Sequence, residues 1–176
     1  MILMKIVLIG YMGSGKSSIG EKLSEVLGFP FKDLDSEIEE QVGSAVSEIF
    51  SKKGEIYFRK IENEVLKKII SEEGNLVLAT GGGTPCYADS LVFMSEMENV
   101  VTIYLKTSLA ILCERLFSEK AKRPLIAHLE SGNELNDFIR KHLFERSYYY
   151  NQAALTIETE NESIERIVEK IILKLF

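Results

Sequence analysis

Residues 10–17 read GYMGSGKS, a match to G-x-x-x-x-G-K-[ST] that stands between the apolar run Ile6–Ile9 and a segment of helical period. Each position has a chemical reason. Gly10, Gly13 and Gly15 let the backbone curl until successive amides face one point, and the helix that follows adds the positive end of its dipole. Lys16 sets a compact charge against β- and γ-phosphates, and the Ser17 hydroxyl is a hard oxygen donor suited to Mg²⁺. This loop predicts a site for a nucleoside triphosphate, with Gly13, Ser14, Gly15, Lys16, Ser17 and Ser18 as its contacts. Switches, motors and small-molecule kinases share such a loop. Switch GTPases read guanine with Asn-Lys-x-Asp, and no Asn-Lys pair occurs here. A short chain wrapped round one nucleotide leaves room for one small acceptor, which favours a kinase.

A second group of residues suits that acceptor. In FKDLDSEIEE, Asp33 and Asp35 stand two apart at the expected end of a strand, where the carboxyl edge of a parallel sheet gathers ligands. Alternation along an extended segment sends both carboxylates to one side. There one could hold Mg²⁺ through water while the other meets the acceptor hydroxyl; Asp35 also fits the N-cap of a following helix. Arg59 and Glu62, three apart on a helix, are neighbours, and taken alone they read more simply as an exposed ion pair. Arg123 in RPL and Arg146 in ERSYYY supply further guanidinium groups. The apolar run of NLVLATGGG ends in Gly81, Gly82 and Gly83; backbone without side chains admits a ligand closely, although glycine clusters also make plain turns.

Elements that could position these residues are visible in the hydrophobic period. Short apolar runs at 6–9, 76–79, 100–105 and 153–157, with another ending near Phe31 or Lys32, read as strands. Helical spacing covers 16–27, 56–70, 108–117, 135–150 and 164–175. Alternating strands and helices predict an α/β fold, with a five-stranded parallel sheet covered by helices on both faces. Residues 118–133 have weak period and carry Lys120, Lys122 and Arg123, which fits either an exposed loop or a mobile lid.

Bulk properties narrow the classes. The chain has 176 residues, 45% apolar and 27% charged, enough for one domain, 1–176, with its own core. A net charge of −6 without a basic cluster argues against nucleic-acid and anionic-membrane partners. Cys86 and Cys113 lack zinc-ligand spacing, so reduced thiols in a cytoplasmic protein are expected. The opening MILMKIVLIG reads as a buried strand rather than a signal peptide, and no run is long enough to span a membrane. His128 and His142 are poor candidates for catalysis beside Asp35, and Tyr148, Tyr149 and Tyr150 read as an anchor for a helix end.

In order and interval, GYMGSGKS, DLD, SEIFSKKGEIYFR, LATGGG, RPL and ERSYYY resemble the shikimate kinases, P-loop kinases of small molecules, from the first strand to about Ala154. The resemblance implies the P-loop kinase fold and transfer of the ATP γ-phosphoryl group to the 3-hydroxyl of shikimate, in the chorismate pathway to aromatic amino acids. A monomer with a small-molecule substrate is expected. By the same likeness Asp35 would hold the acceptor hydroxyl, Asp33 would support Mg²⁺ with Ser17, and Arg59 and Arg146 would clamp the carboxylate. Gly81, Gly82 and Gly83 would line the ring, Arg123 on a lid of about 118–133 would close over the phosphates, and Arg115 would lie against adenine. Residues of about 34–62 would form the acceptor-binding region. Departures are Ser18 in place of a frequent Thr, Ile126 after RPL, and no proline in Thr159–Asn161. Kinases of gluconate or of a nucleoside monophosphate, and a nucleotide-binding module without transfer activity, are the alternatives.

Overall fold

Lys5–Ile9 forms β1, every residue of which is buried, and the pleat of this strand divides the core in two. In the computed structural model, which describes residues 3–123 and 125–176, the sheet has the order β2-β3-β1-β4-β5 with all pairings parallel. The other strands are β2 (Phe31–Asp33), β3 (Leu76–Ala79), β4 (Val100–Lys106) and β5 (Leu155–Glu158). Met1, Ile2 and Pro124, the proline of the RPL segment, lie outside the described residues.

Alternate side chains of β1 enter different clusters. Ile6 and Leu8 join α1 (Lys16–Leu27) and α7 (Ile164–Leu175) through Ile19, Leu23, Ile167 and Ile171. Val7 and Ile9 join the other helices: α2 (Leu34–Val42), α3 (Val46–Ser71), α4 (Ser90–Glu96), α5 (Leu109–Glu119) and α6 (Gly132–Tyr150). None of these helices is long and apolar enough to cross a membrane.

Side-chain caps are present on four of the helices and absent from α1, α3 and α4. Asp33, Ser108, Ser131 and Ser163 accept backbone N–H groups at the starts of α2, α5, α6 and α7. Helix α1 starts at Gly15 with no side-chain acceptor. A missing cap costs about 1 kcal/mol, whereas burying Ile19 and Leu23 contributes roughly 1.5–3 kcal/mol each. The helix holds by its packed face, and its first-turn amides stay free to meet an anion.

Several expectations are revised. Asp33, not Asp35, caps α2: its Oδ1 accepts from the amides of Asp35 and Ser36 at 3.1 and 3.4 Å. The chain is already helical at Asp35, so strand alternation is not what places the two carboxylates. Helix α3 begins at Val46, ten residues before the expected start, and α4 is too short for its period to be visible. Residues 118–133 are not simply an exposed loop: α5 runs to Glu119, Lys120–Lys122 form a 3-10 turn, and Ile126 is wholly buried in the larger cluster.

Within α3, Gly54 has φ 80° and ψ 171°, a combination that breaks the helix into two pieces, 46–53 and 55–71. A Cβ at Gly54 would meet nothing within 4 Å, so the requirement is conformational rather than steric. That region of backbone space is nearly confined to glycine and costs other residues about 1–3 kcal/mol. Gly54→Ala is therefore expected to lower unfolding free energy by about 1–3 kcal/mol in urea titration. A change below about 0.5 kcal/mol would mean that an L-residue makes the kink without strain.

Candidate active site

The carboxyl ends of β1, β2 and β3 bring the phosphate loop, the Asp33–Asp35 turn and the glycine run together. Gly10 has φ 146°, and a Cβ there would stand 2.9 Å from the Leu105 carbonyl oxygen, so the first position of the loop demands glycine. Lys16 Nζ turns into the loop and donates to the carbonyls of Gly10 at 2.7 Å and Tyr11 at 2.9 Å. Burial pushes this ammonium down to about 8, with Asp35 and Asp33 opposing the shift, so it stays charged at neutral pH. Ser17 Oγ donates to Asp33 Oδ2 at 2.7 Å, which fixes a hydroxyl and a carboxylate side by side.

These groups line a cavity of about 440 Å³, bounded by residues 13–18, Asp33, Asp35, Arg115 and Arg123. Arg115 reaches across it to donate to the Gly13 carbonyl at 3.0 Å. Its far end is closed by Thr159, Glu162, Ile164 and Ile167. Arg123 is held by Glu119 through two contacts of 2.7 and 3.1 Å.

A second cavity, of about 460 Å³, is lined by Arg59, Glu62, the three glycines and Arg146, with Phe50, Phe58 and Leu125 as apolar wall. Met12, Asp35, Gly81, Gly82 and Arg123 line both cavities and form the boundary between them. Burial pushes the Asp35 carboxyl up to about 6, and the charges of Asp33 and Glu62 add to this against the pull of Lys16. Its titration thus falls near the range in which a carboxylate can take a proton from an alcohol in the course of reaction.

The Arg59–Glu62 pair is not the exposed ion pair that the spacing also allowed. Glu62 is only 2% exposed; it accepts from Arg59 Nη1 at 2.8 Å through one oxygen and from the Thr84 hydroxyl at 2.7 Å through the other. Arg146 is 7% exposed and has no carboxylate within 4.0 Å among the described residues. A buried guanidinium without a counter-charge is costly, and an anionic ligand relieves that cost.

The reason for three glycines is visible at this wall. A Cβ on Gly83 would lie 2.6 Å from Arg59 Nη2, one on Gly82 would lie 3.2 Å from Arg146 Nη1, and one on Gly81 would lie 3.3 Å from Asp35 Oδ1. Side chains there would displace the charged groups themselves. Tyr150 donates its hydroxyl to the Gly82 carbonyl and Thr80 donates to the Leu8 carbonyl at 2.9 Å, so the run is fastened to α6 and to β1.

Every residue singled out from the sequence as a site residue lines one or both cavities, whereas His128 and His142 line neither. His142 Nδ1 meets the Tyr11 hydroxyl at 3.0 Å, and burial, reinforced by Arg146, pushes its imidazole down to about 4. Of the three tyrosines, Tyr150 alone is fully buried, and Tyr148 is exposed. Sequence reasoning missed Glu62 as a buried bridge, Thr84 as its second partner and Glu119 as the holder of Arg123. The signals were present as helical intervals, 59 to 62 and 119 to 123, but burial is what gives such intervals weight.

Comparison with known proteins agrees with this geometry. Residues 12–176 match the family model described as shikimate kinase. A curated shikimate kinase from Flavobacterium psychrophilum is 47% identical over 167 residues, 95% of this chain and 96% of the relative. The crystal structure of shikimate kinase from Bacteroides thetaiotaomicron superposes with a TM-score of 0.89 at 35% identity, covering 98% of each chain. That of shikimate kinase from Acinetobacter baumannii, in complex with shikimate, gives 0.85 at 34% identity over 98% of this chain and 93% of the other. With its P-loop kinase fold, a match across nearly its whole length and both cavities in place, the chain belongs to the shikimate kinase family.

Proposed function

We infer that the chain transfers the γ-phosphoryl group of ATP to the 3-hydroxyl of shikimate, giving shikimate 3-phosphate and ADP in aromatic amino-acid biosynthesis. One observation carries the reading: the phosphate cavity and a cavity holding two inward guanidinium groups share a single wall, and Asp35 stands in it. An acceptor with a carboxylate at one end and a hydroxyl at the other fits between Arg146 and Asp35. The whole chain, 1–176, works as one kinase unit, with an acceptor-binding region of about 34–62 and a lid of about 118–133.

The residues divide the work. Backbone amides of 13–18 take the phosphates and Lys16 moves from carbonyl acceptors to stronger phosphoryl oxygens. The hydroxyl of Ser17 and the carboxylate of Asp33 are hard oxygen donors already in contact, a set that fits Mg²⁺ with its other positions left to phosphate and water. When bound, Mg²⁺ supplies neutralisation of charge on the phosphoryl oxygens. Arg59 and Arg146 hold the acceptor carboxylate, a planar fork suiting a planar anion, and Gly81–Gly83 form the floor under the ring. Asp35 orients the hydroxyl and receives its proton. Arg123, at the boundary, leaves Glu119 and closes over the transferred group, excluding water. Arg115 borders the adenine. Both cavities are complete within one chain and both thiols are free, which supports a monomer acting in the cytoplasm.

An ADP-release assay offering shikimate, gluconate, AMP and CMP separately is expected to give turnover with shikimate alone. Preferred turnover of another acceptor overturns the assignment. Arg59→Ala is expected to raise KM for shikimate by about 10- to 100-fold, the loss of one charge-assisted contact. Lys16→Ala should instead lower kcat by about 10²–10³ or more, the loss of a charge aimed at the reacting group. Indistinguishable kinetic defects in the two variants would refute the division between cavities.

Titration of Asp35 generates a paired prediction. The base form is lost as pH falls through about 6, so kcat/KM should drop roughly tenfold per unit below that point, and Asp35→Asn should abolish this limb with most of the activity. Because the folded carboxyl titrates above the unfolded value of about 3.9, its contribution to stability is greatest below that value and disappears as pH rises through about 6. Asp35→Asn should therefore raise Tm by a few degrees at pH 8 and leave it unchanged at pH 4. An equal change at both pH values would show that the carboxyl is not strained by burial.

A further inference from the structure

Beyond the glycine run the chain folds back along α3 rather than leaving the site. Three polar clamps fasten it: Thr84 to Glu62 at 2.7 Å, Asn63 to Asp89 at 3.0 Å and to Ser90 at 2.9 Å, and Lys67 to Asp89 at 2.7 Å. Between the clamps lies Ala88, one of two non-glycine residues with positive φ among the described residues, at 50°. Such a backbone is disfavoured for alanine and persists where its surroundings enforce it. Its effect is to send neighbouring side chains apart. Asp89 meets Asn63 and Lys67, while Tyr87 lies across Arg59 with its ring centroid 4.0 Å from the guanidinium carbon.

Besides Tyr87, two carboxylates and two more distant rings bear on Arg59. Glu62 takes Nη1, and Glu55, more than half exposed, offers an outward partner to Nε at 3.5 Å. The rings of Phe58 and Phe50 are more distant, at 5.2 and 5.9 Å. Arg59 also borders an outer groove of about 540 Å³ formed with Glu55, Lys60, Tyr87 and Ala88. The guanidinium therefore stands between the acceptor cavity and an open groove with acidic company, and Tyr87 is the closest aromatic face on it.

We infer that Tyr87 is a positioning residue for acceptor binding: its ring backs the Arg59 guanidinium and keeps the fork aimed into the acceptor cavity. This rests on the reading of Arg59 as a clamp for the shikimate carboxylate. The face of the ring, not its hydroxyl, does the work, by cation–π attraction and by occupying the outward path. Losing such a contact corresponds to about 3- to 30-fold in affinity.

Steady-state kinetics of Tyr87→Ala, Tyr87→Leu and Tyr87→Phe, varying shikimate and ATP separately, test the inference. Tyr87→Ala is expected to raise KM for shikimate about 3- to 30-fold, with kcat and KM for ATP within about twofold of wild type. Tyr87→Leu, which keeps apolar bulk without a π face, should show most of the same rise. Tyr87→Phe should restore wild-type KM. In an Arg59→Ala background, Tyr87→Ala should add nothing further. An unchanged KM in Tyr87→Ala, equal losses toward both substrates, failure of Phe to rescue, or additivity with Arg59→Ala would overturn the positioning role alone. Lack of wild-type turnover with shikimate would overturn both this inference and the functional reading beneath it.

Discussion

Buried charge that its own protein leaves unbalanced is the constraint on which this structure turns. Lys16, Asp35, Glu62 and Arg146 converge at one end of the sheet, largely withdrawn from water. Each ion so placed costs several kcal/mol unless partners replace its hydration. Some are repaid internally: Glu62 is saturated by Arg59 and Thr84, and Lys16 by two loop carbonyls. Others are not. Among the described residues Arg146 meets no carboxylate, and Asp35 holds a carboxyl among like charges. In the proposed function the unmet groups, one cationic and one anionic, are the partners of the acid end and the hydroxyl end of one acceptor.

Such a site stands only on a scaffold that does not relax around it. The central strand is buried on both faces, and its alternating residues tie the phosphate loop to two separate clusters. The glycine run is fastened to α6 through Tyr150 and to β1 through Thr80. Thus apolar burial, which contributes most of the favourable free energy, maintains an arrangement of charges that is unfavourable by itself, as the raised carboxyl of Asp35 records.

Local chemistry explains what could be read from residues alone. The strand Leu76–Ala79 and the helices Lys16–Leu27 and Ile164–Leu175 were legible to the residue because strong apolar period ends there in Gly, or starts after Ser163. The phosphate loop was legible because nearly all of its function is backbone conformation, which glycine advertises. Asp33 as a cap was missed because D-x-D offers two acceptors to one helix start, and only the course of the backbone selects between them. Helix α3 was seen in part because Gly54 kinks the backbone between its two pieces, and only the second carries a long apolar period. The status of Arg59 and Glu62 depended on burial, and burial at this wall comes from the glycine run twenty residues onward, a non-local fact that helical spacing does not carry.

The same reasoning bears on the proposed closure of Arg123, which is more exposed than Arg59 and Arg146. Its pair with Glu119 lies one helical turn apart at the surface, and exposed pairs of that kind contribute only about 0.3–0.5 kcal/mol. A charge-assisted bond to phosphate contributes about 1.5–3 kcal/mol. Exchange of Glu119 for a phosphoryl oxygen is then favourable only when a triphosphate fills the first cavity. A guanidinium buried as deeply as Arg146 could not serve in this way, because its position does not respond to whether phosphate is present. In the proposed function, an exposed, weakly paired arginine at the boundary and more buried ones behind the acceptor let nucleotide binding, rather than folding, complete the site.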